Sequence, residues 1–222
     1  MFTALNESPL FNGLEFIEID RLVQNTLHQV KQFSNKEVIA FSGERVEKAI
    51  LLLEDKLQGE MLDFSGNSLK IEEIEPPQMV AAAFLYGPQS VFPVNLSSLS
   101  DGRLLMIAKK DFTQMLSKDP RVLNNYLNIV SAKAQFLTQK ITFLSFRTIK
   151  EKIAFFLLQR LKNDSSLVKI NQSQTELSGL MGVARPSLAR KISEMESAGI
   201  IKWERSQVLV LDPKGLNSIL GR

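Results

Sequence analysis

The stretch from Gln172 to Ile192 constrains this chain more than any other. Its order of residue types predicts a helix, a tight reversal and a second helix that carries arginines outward. Ser173 or Thr175 offers a side-chain oxygen to cap the first helix. Leu177, Leu180 and Met181 then share one helical face. Gly182 stands where a helix-turn-helix needs its sharp reversal. Ala184 or Ser187 starts the second helix, and Pro186 suits its first turn, where a missing N–H breaks no hydrogen bond. Leu188, Ile192 and Met195 recur at spacings of four and three and form the buried stripe. Arg185, Ser187, Ala189 and Arg190 fall on the early, outward side, where a recognition helix meets base edges in a major groove.

An ordinary helical hairpin with solvated arginines has the same pattern, and the residues that follow separate the two. Gly199 ends the second helix. Ile201–Glu204 and Val208–Leu211 are short apolar runs around Arg205-Ser206-Gln207, a β-hairpin closed by Asp212-Pro213. A helix-turn-helix followed by a hairpin is a winged helix.

The order from Thr175 to Arg190, then from Ile192 to Ile201, resembles the C-terminal domain of the cyclic-AMP receptor protein/Fnr (Crp/Fnr) family of bacterial transcription regulators. Phe33 to Glu44 is similar to that family's opening β-roll segment, and Val208 to Leu216 to its closing segment. The resemblance covers nearly the whole chain and is most specific at its C-terminal end. It implies an α+β fold: a β-roll sensor domain (a double-stranded β-helix of the cyclic-nucleotide-binding type) over residues 1–118, a dimerisation helix over 119–145 and a winged helix-turn-helix over 146–222. It implies a sequence-specific regulator rather than an enzyme, acting as a homodimer on double-stranded DNA, with RNA polymerase as a further partner. Carried over residue by residue, the DNA-binding positions are Gln174, Thr175, Arg185, Pro186, Ser187, Arg190 and Lys191. The family often has a glutamate where this chain has Pro186, and proline cannot accept from a cytosine amino group. The operator is therefore expected to differ at that step.

Charge supports the same half of the chain. From Arg147 to Arg222 there are 13 Lys/Arg against 7 Asp/Glu, which leaves 14 against 17 in residues 1–146. A basic domain attracts a polyanion and releases its counterions on binding. The absence of cysteine excludes thiolate zinc sites and a cysteine-ligated iron–sulfur cluster. The one histidine, His28, cannot build a triad or a histidine-rich metal site, and reads as a surface residue ending the first helix. A jelly-roll ligand-binding or metabolic protein with an appended helical domain is the competing class. A cupin-like metal enzyme needs several His and Glu ligands, which one histidine does not supply. No apolar run approaches the ~20 residues of a membrane span. Residues 1–7 lack the basic-then-apolar order of a signal peptide. Both point to the cytoplasm, with no membrane partner.

Residues 8–27 read as helical, started by Ser8-Pro9, with Leu14, Ile17, Leu22 and Val23 toward a core. From about Val30 to Ala108 short strands follow, with candidates at 38–41, 49–53, 61–64, 69–71 and 104–107, and turns at Ser42-Gly43 and 65–67. Asp119-Pro120 opens a long helix. Leu123, Leu127, Val130, Ala134, Leu137, Ile141 and Leu144 recur along it at 4, 3, 4, 3, 4 and 3, an a/d seam that packs on its own domain or on a twin. The resemblance selects the twin. Phe136 and Phe143 lie off the seam and are expected against the β-roll. Arg147 to Lys150 reads as a hinge, followed by an amphipathic helix through Ile153, Phe156, Leu157, Arg160 and Leu161, and by a loop at 163–166.

Cyclic-nucleotide binders of the family hold the ligand with a Gly-Glu pair and a following arginine. The corresponding stretch here, Phe84 to Val94, has neither Glu nor Arg, and no residue from Pro76 to Ser100 is charged. Phosphate recognition needs such a cation or a nest of amides. Cyclic AMP is therefore not expected. Phe84, Leu85, Tyr86, Phe92 and Val94 are candidates to line an apolar effector pocket, or they are simply core. Haem is the first apolar candidate, with Met79, Met106 and His28 as conceivable axial ligands. The same string is similar to the nitrosative-stress (HcpR-like) branch of the family.

Overall fold

The computed structural model describes residues 3–62, 68–161 and 165–221. The chain divides into two units, Met1–Lys133 and Ala134–Arg222. The sequence readings at 63–67 and at 163–164 lie outside the described residues.

The first unit opens with two short 3-10 turns, Thr3–Glu7 and Pro9–Phe11, before the helix α1, Phe16–Gln24. The expected single helix over 8–27 is thus broken, and Gly13, at φ +79°, turns the chain between its parts. Leu5, Leu10, Phe11, Ile19 and Val23 are buried, whereas Ile17 is 63% exposed and does not face the core. His28 does not end a helix but opens a strand.

Eight strands follow: β1 His28–Phe33, β2 Val38–Ala40, β3 Lys48–Glu54, β4 Leu57–Leu62, β5 Ser68–Ile74, β6 Met79–Val80, β7 Asn95–Ser98 and β8 Gly102–Ala108. They form two antiparallel four-stranded sheets, ordered β1-β8-β3-β6 and β2-β7-β4-β5, which is the β-roll. β3, flanked in the sheet by β8 and β6, is buried without a break from Ala49 to Leu53, and the Thr3–Glu7 turn and the Lys109–Lys118 helix pack on it. A fully covered strand reads as a continuous apolar run rather than an alternation. α2, Lys109–Lys118, and α3, Pro120–Ser145, complete the helices of this part of the chain. At the entry of α3, Arg121 Nη2 lies 2.8 Å from Asp119 Oδ2 and 2.9 Å from Glu18 Oε1. Val122 and Tyr126 on its first turns join the β-roll core.

The second unit takes the end of α3 and adds α4 Ile149–Leu158, β9 Leu167–Lys169, α5 Gln174–Met181, α6 Arg185–Ser197, β10 Ile201–Glu204, β11 Gln207–Val210 and α7 Pro213–Ile219. Thr148 caps α4 in a reciprocal box with Glu151. Ile149 and Lys150, expected in a hinge, are therefore the first turn of a helix, and Arg160 and Leu161 lie past its end. Phe143 is 2% exposed and packs edge-on against Phe155, with ring centroids 5.9 Å apart. It belongs to the core of this unit, not to the β-roll, because the phenylalanines of α4 supply its partners. Phe136 is 45% exposed, with the Lys140 ammonium 5.9 Å above its ring. Three strands, β10-β11-β9, form the wing sheet. Asp212, read as the close of the hairpin, also caps α7 by accepting from the Gly215 N–H at 2.9 Å.

Candidate nucleic-acid interface

The first helix of the motif, α5, begins at Ser173, whose hydroxyl accepts from the Glu176 N–H at 3.2 Å. The Glu176 carboxylate returns the contact, accepting from the Ser173 N–H at 2.7 Å and its hydroxyl at 2.8 Å. Those bonds hold the Glu176 carboxyl below its usual range, the backbone bond first. Ser173, rather than Thr175, is the cap. At the other end Gly182 adopts φ +64° and ψ 43°, the left-handed conformation glycine reaches at least cost. A Cβ there would also meet Leu144 Cδ2 at 3.2 Å. Lys152 is 7% exposed, and its ammonium donates to the carbonyl of Met181, the last residue of α5, over 2.8 Å.

After the reversal, Ala184 precedes α6 and Pro186 sits in its first turn. Leu188, Ile192 and Met195 are at most 3% exposed. Each such side chain contributes about 1.5–3 kcal/mol by leaving water, so burial of this stripe fixes which side of α6 faces out. Arg185, Pro186, Ser187, Arg190 and Thr175 are exposed, and Gln174 and Lys191 are partly so. The structure brings all seven expected DNA-binding positions together on α5 and α6.

Electrostatics divide them. The Arg190 side chain is 80% exposed, with Nε a loose 3.5 Å from Glu194 Oε1. Lys191 is committed, its ammonium 2.8 and 2.9 Å from the two Glu194 oxygens. Lys150 of α4 approaches the same carboxylate at 3.0 Å. Glu196 accepts from the Trp203 N–H at 2.8 Å and ties α6 to the wing. At the wing tip Arg205 is exposed at φ +38°.

The seam residues of α3 are largely bare. Leu123, Leu127, Leu137, Ile141 and Leu144 are 37, 51, 56, 68 and 61% exposed. Ala134 is also exposed, while Val130 packs partly on the β-roll core.

The five residues read as an effector pocket differ in burial. Leu85, Phe92 and Val94 are 1, 5 and 6% exposed and are core. Phe84 is exposed, and the Tyr86 hydroxyl meets Thr113 Oγ1 at 2.7 Å. A cavity of about 560 Å³ opens along Arg45, Glu47, Gly87–Val91 and Lys109. An antiparallel bridge between Arg45 and Val91 thus gives the uncharged segment a cationic neighbour from another part of the chain. Met79 and Met106 pack against the core, His28 Nδ1 lies 2.8 Å from the Thr26 carbonyl oxygen, and none of the three lines that cavity.

Residues 151–219 match the Crp-like helix-turn-helix domain. The crystal structure of a transcriptional regulator from Thermotoga maritima is 29% identical with a TM-score of 0.54, covering 57% of this chain and 97% of that one. The C-terminal part of the chain is thus a Crp-like helix-turn-helix domain, of the kind found in Crp/Fnr regulators. The transcriptional regulator SdrP of Thermus thermophilus is 21% identical over 178 residues, 78% of this chain and 84% of that protein. The catabolite activator protein of the same organism shares the fold, with a TM-score of 0.56 at 20% identity over 96% of this chain and 98% of that one.

Reading the sequence placed Lys150, Lys152 and Glu194 in the DNA-binding domain but missed their contacts. It also missed β9, which pairs with β11 in the wing sheet, and α7, which packs on α4. Lys150–Glu194 and Lys152–Met181 join α4 to the helix-turn-helix across the sequence, whereas the Glu194 contacts with Arg190 and Lys191 are local to α6, with Glu194 one turn after the arginine. No helix among the described residues is long and apolar enough to cross a membrane.

Proposed function

We propose that the chain is a Crp/Fnr transcriptional regulator and binds a near-palindromic duplex as a homodimer, with α6 of each subunit in successive major grooves about 34 Å apart. The observation that carries this is the division of α6. Its apolar stripe is buried, and the same burial leaves Arg185 and Arg190 facing solvent on the opposite side. An exposed guanidinium matches the O6 and N7 acceptors of guanine. The bare a/d stripe on α3 supports the dimer: five large apolar side chains on one helix face are a surface that a second copy would cover. RNA polymerase is the further partner of such a regulator, in the cytoplasm.

The functional division follows the elements, with a sensor over 1–118, the dimer helix over 119–145 and the DNA-binding domain over 146–222. Signals from the sensor act through the packing of the α3 pair and the Phe146–Thr148 connection. Cyclic AMP is not expected as the effector: the segment where the family holds it carries no charge of its own, and its Leu85, Phe92 and Val94 side chains are buried. Calorimetry with cyclic AMP should show binding no tighter than millimolar, roughly −4 kcal/mol, and micromolar binding would overturn that. The function itself is tested by selection of purified protein against a random duplex library. Enrichment of an inverted repeat with half-sites one turn apart supports it, and recovery of no common sequence overturns it.

A further inference from the structure

Glu194 lies one helical turn after Arg190 on α6, on the same side of the helix. Lys191 donates to both of its oxygens at 2.8 and 2.9 Å, Lys150 stands 3.0 Å away, and Arg190 Nε stands at 3.5 Å. Three cations of the DNA-binding unit share one carboxylate. Two are held at hydrogen-bond distance, and the base-reading candidate is held loosely.

We propose that Glu194 is a specificity-determining residue of this interface: it keeps Lys150 and Lys191 off the phosphate backbone, so that the base contacts of Arg190 decide where the protein settles. The proposal rests on the DNA-binding reading above. Attraction between lysines and phosphates is the same at every sequence, and each phosphate neutralised releases counterions. A lysine occupied by a carboxylate contributes less to that indiscriminate term, and the carboxylate itself repels phosphate. The Arg190 guanidinium, 80% exposed and 3.5 Å from its partner, is free to exchange Glu194 for a base edge. On random duplex, where phosphate attraction is nearly the whole of binding, releasing the lysines acts in full. On the operator, the base register fixes which phosphates lie within reach, so the same release acts less.

The test compares wild type, Glu194→Gln and Glu194→Asp on the duplex returned by selection and on a scrambled duplex of equal length, across a salt series. Glu194→Gln should tighten binding to the scrambled duplex roughly fivefold at 0.15 M salt, with a salt slope steeper by about 0.9, the equivalent of one more phosphate contact. Operator affinity should rise by less than that, so the specific-to-random ratio falls. Glu194→Asp, which keeps the charge, should restore the wild-type ratio. Equal tightening on both duplexes, or no change in slope, overturns the proposal while leaving the DNA-binding reading intact. A wild type that enriches no sequence overturns both.

Discussion

Lys152 Nζ donates to the carbonyl oxygen of Met181 over 2.8 Å in a buried contact. The last carbonyls of a helix have no partner inside it, and a cation at that end also meets the favourable pole of the helix dipole. This bond joins α4 to the turn between α5 and α6, so it bears on where α6 stands.

Lys152→Ala leaves the Met181 carbonyl buried without this donor. The expected loss is about 1.5–3 kcal/mol, the range for a hydrogen bond to a charged group. Trp203, the one tryptophan of the chain, lies on β10 and reports unfolding of this unit by fluorescence. Lys152→Arg should retain most of the stability. A urea midpoint for Lys152→Ala equal to that of wild type would mean that water satisfies the carbonyl instead.

The Glu194 carboxyl sits at a pKa of about 2, lowered from an ordinary 4.5 chiefly by hydrogen bonding from Lys191, then from Lys150. A depressed folded-state pKa stabilises the fold fully above the unfolded value, and that contribution fades as pH falls from about 4.5 toward 2. Stability followed at Trp203 should therefore fall in wild type through this window, and fall less steeply in Glu194→Gln. Superimposable acid limbs would show that exposure to solvent screens the cluster completely.

The helix-turn-helix was legible because every signal in it is local: Ser173 and Glu176 three residues apart, Gly182 at the reversal, and an apolar period through Leu188, Ile192 and Met195. The β-roll was legible as a pattern of short strands but not strand by strand. β1 has only Phe33 buried among His28–Phe33, and β6 is two residues long, so neither carries an alternation to read. The first helix was overextended because Leu14 and Ile17 continue an apolar period across Gly13, where the backbone turns. Arg45 beside Val91, and Lys150 beside Glu194, are pairings across more than forty residues. Nothing in the order of residues announces which strand or helix will arrive next to them.

The apolar stripe on α3 gives a direct test of the dimer. Ile141 and Leu137 are among its most exposed members, so replacing both with aspartate removes little from the subunit's own core. Leu137→Asp/Ile141→Asp should shift the mass in light scattering from dimer to monomer. Operator affinity should fall roughly 100-fold or more, the loss expected when two linked half-site contacts become independent. A double variant that remains dimeric would place the interface elsewhere.

Arg190 and Arg185 both face solvent from the first turns of α6, and Arg190 has an acidic partner, Glu194, one turn along the same helix face. That contact is loose, so the guanidinium can leave the carboxylate for the O6 and N7 acceptors of guanine. Arg190→Ala should cost about 1–3 kcal/mol on the selected operator, relax the base preference at one position of each half-site, and leave the remaining positions unchanged. Binding to scrambled duplex should weaken much less. Equal losses on the two duplexes, with the base preference intact, would make Arg190 a phosphate contact and move the burden of sequence reading to Arg185 and Ser187.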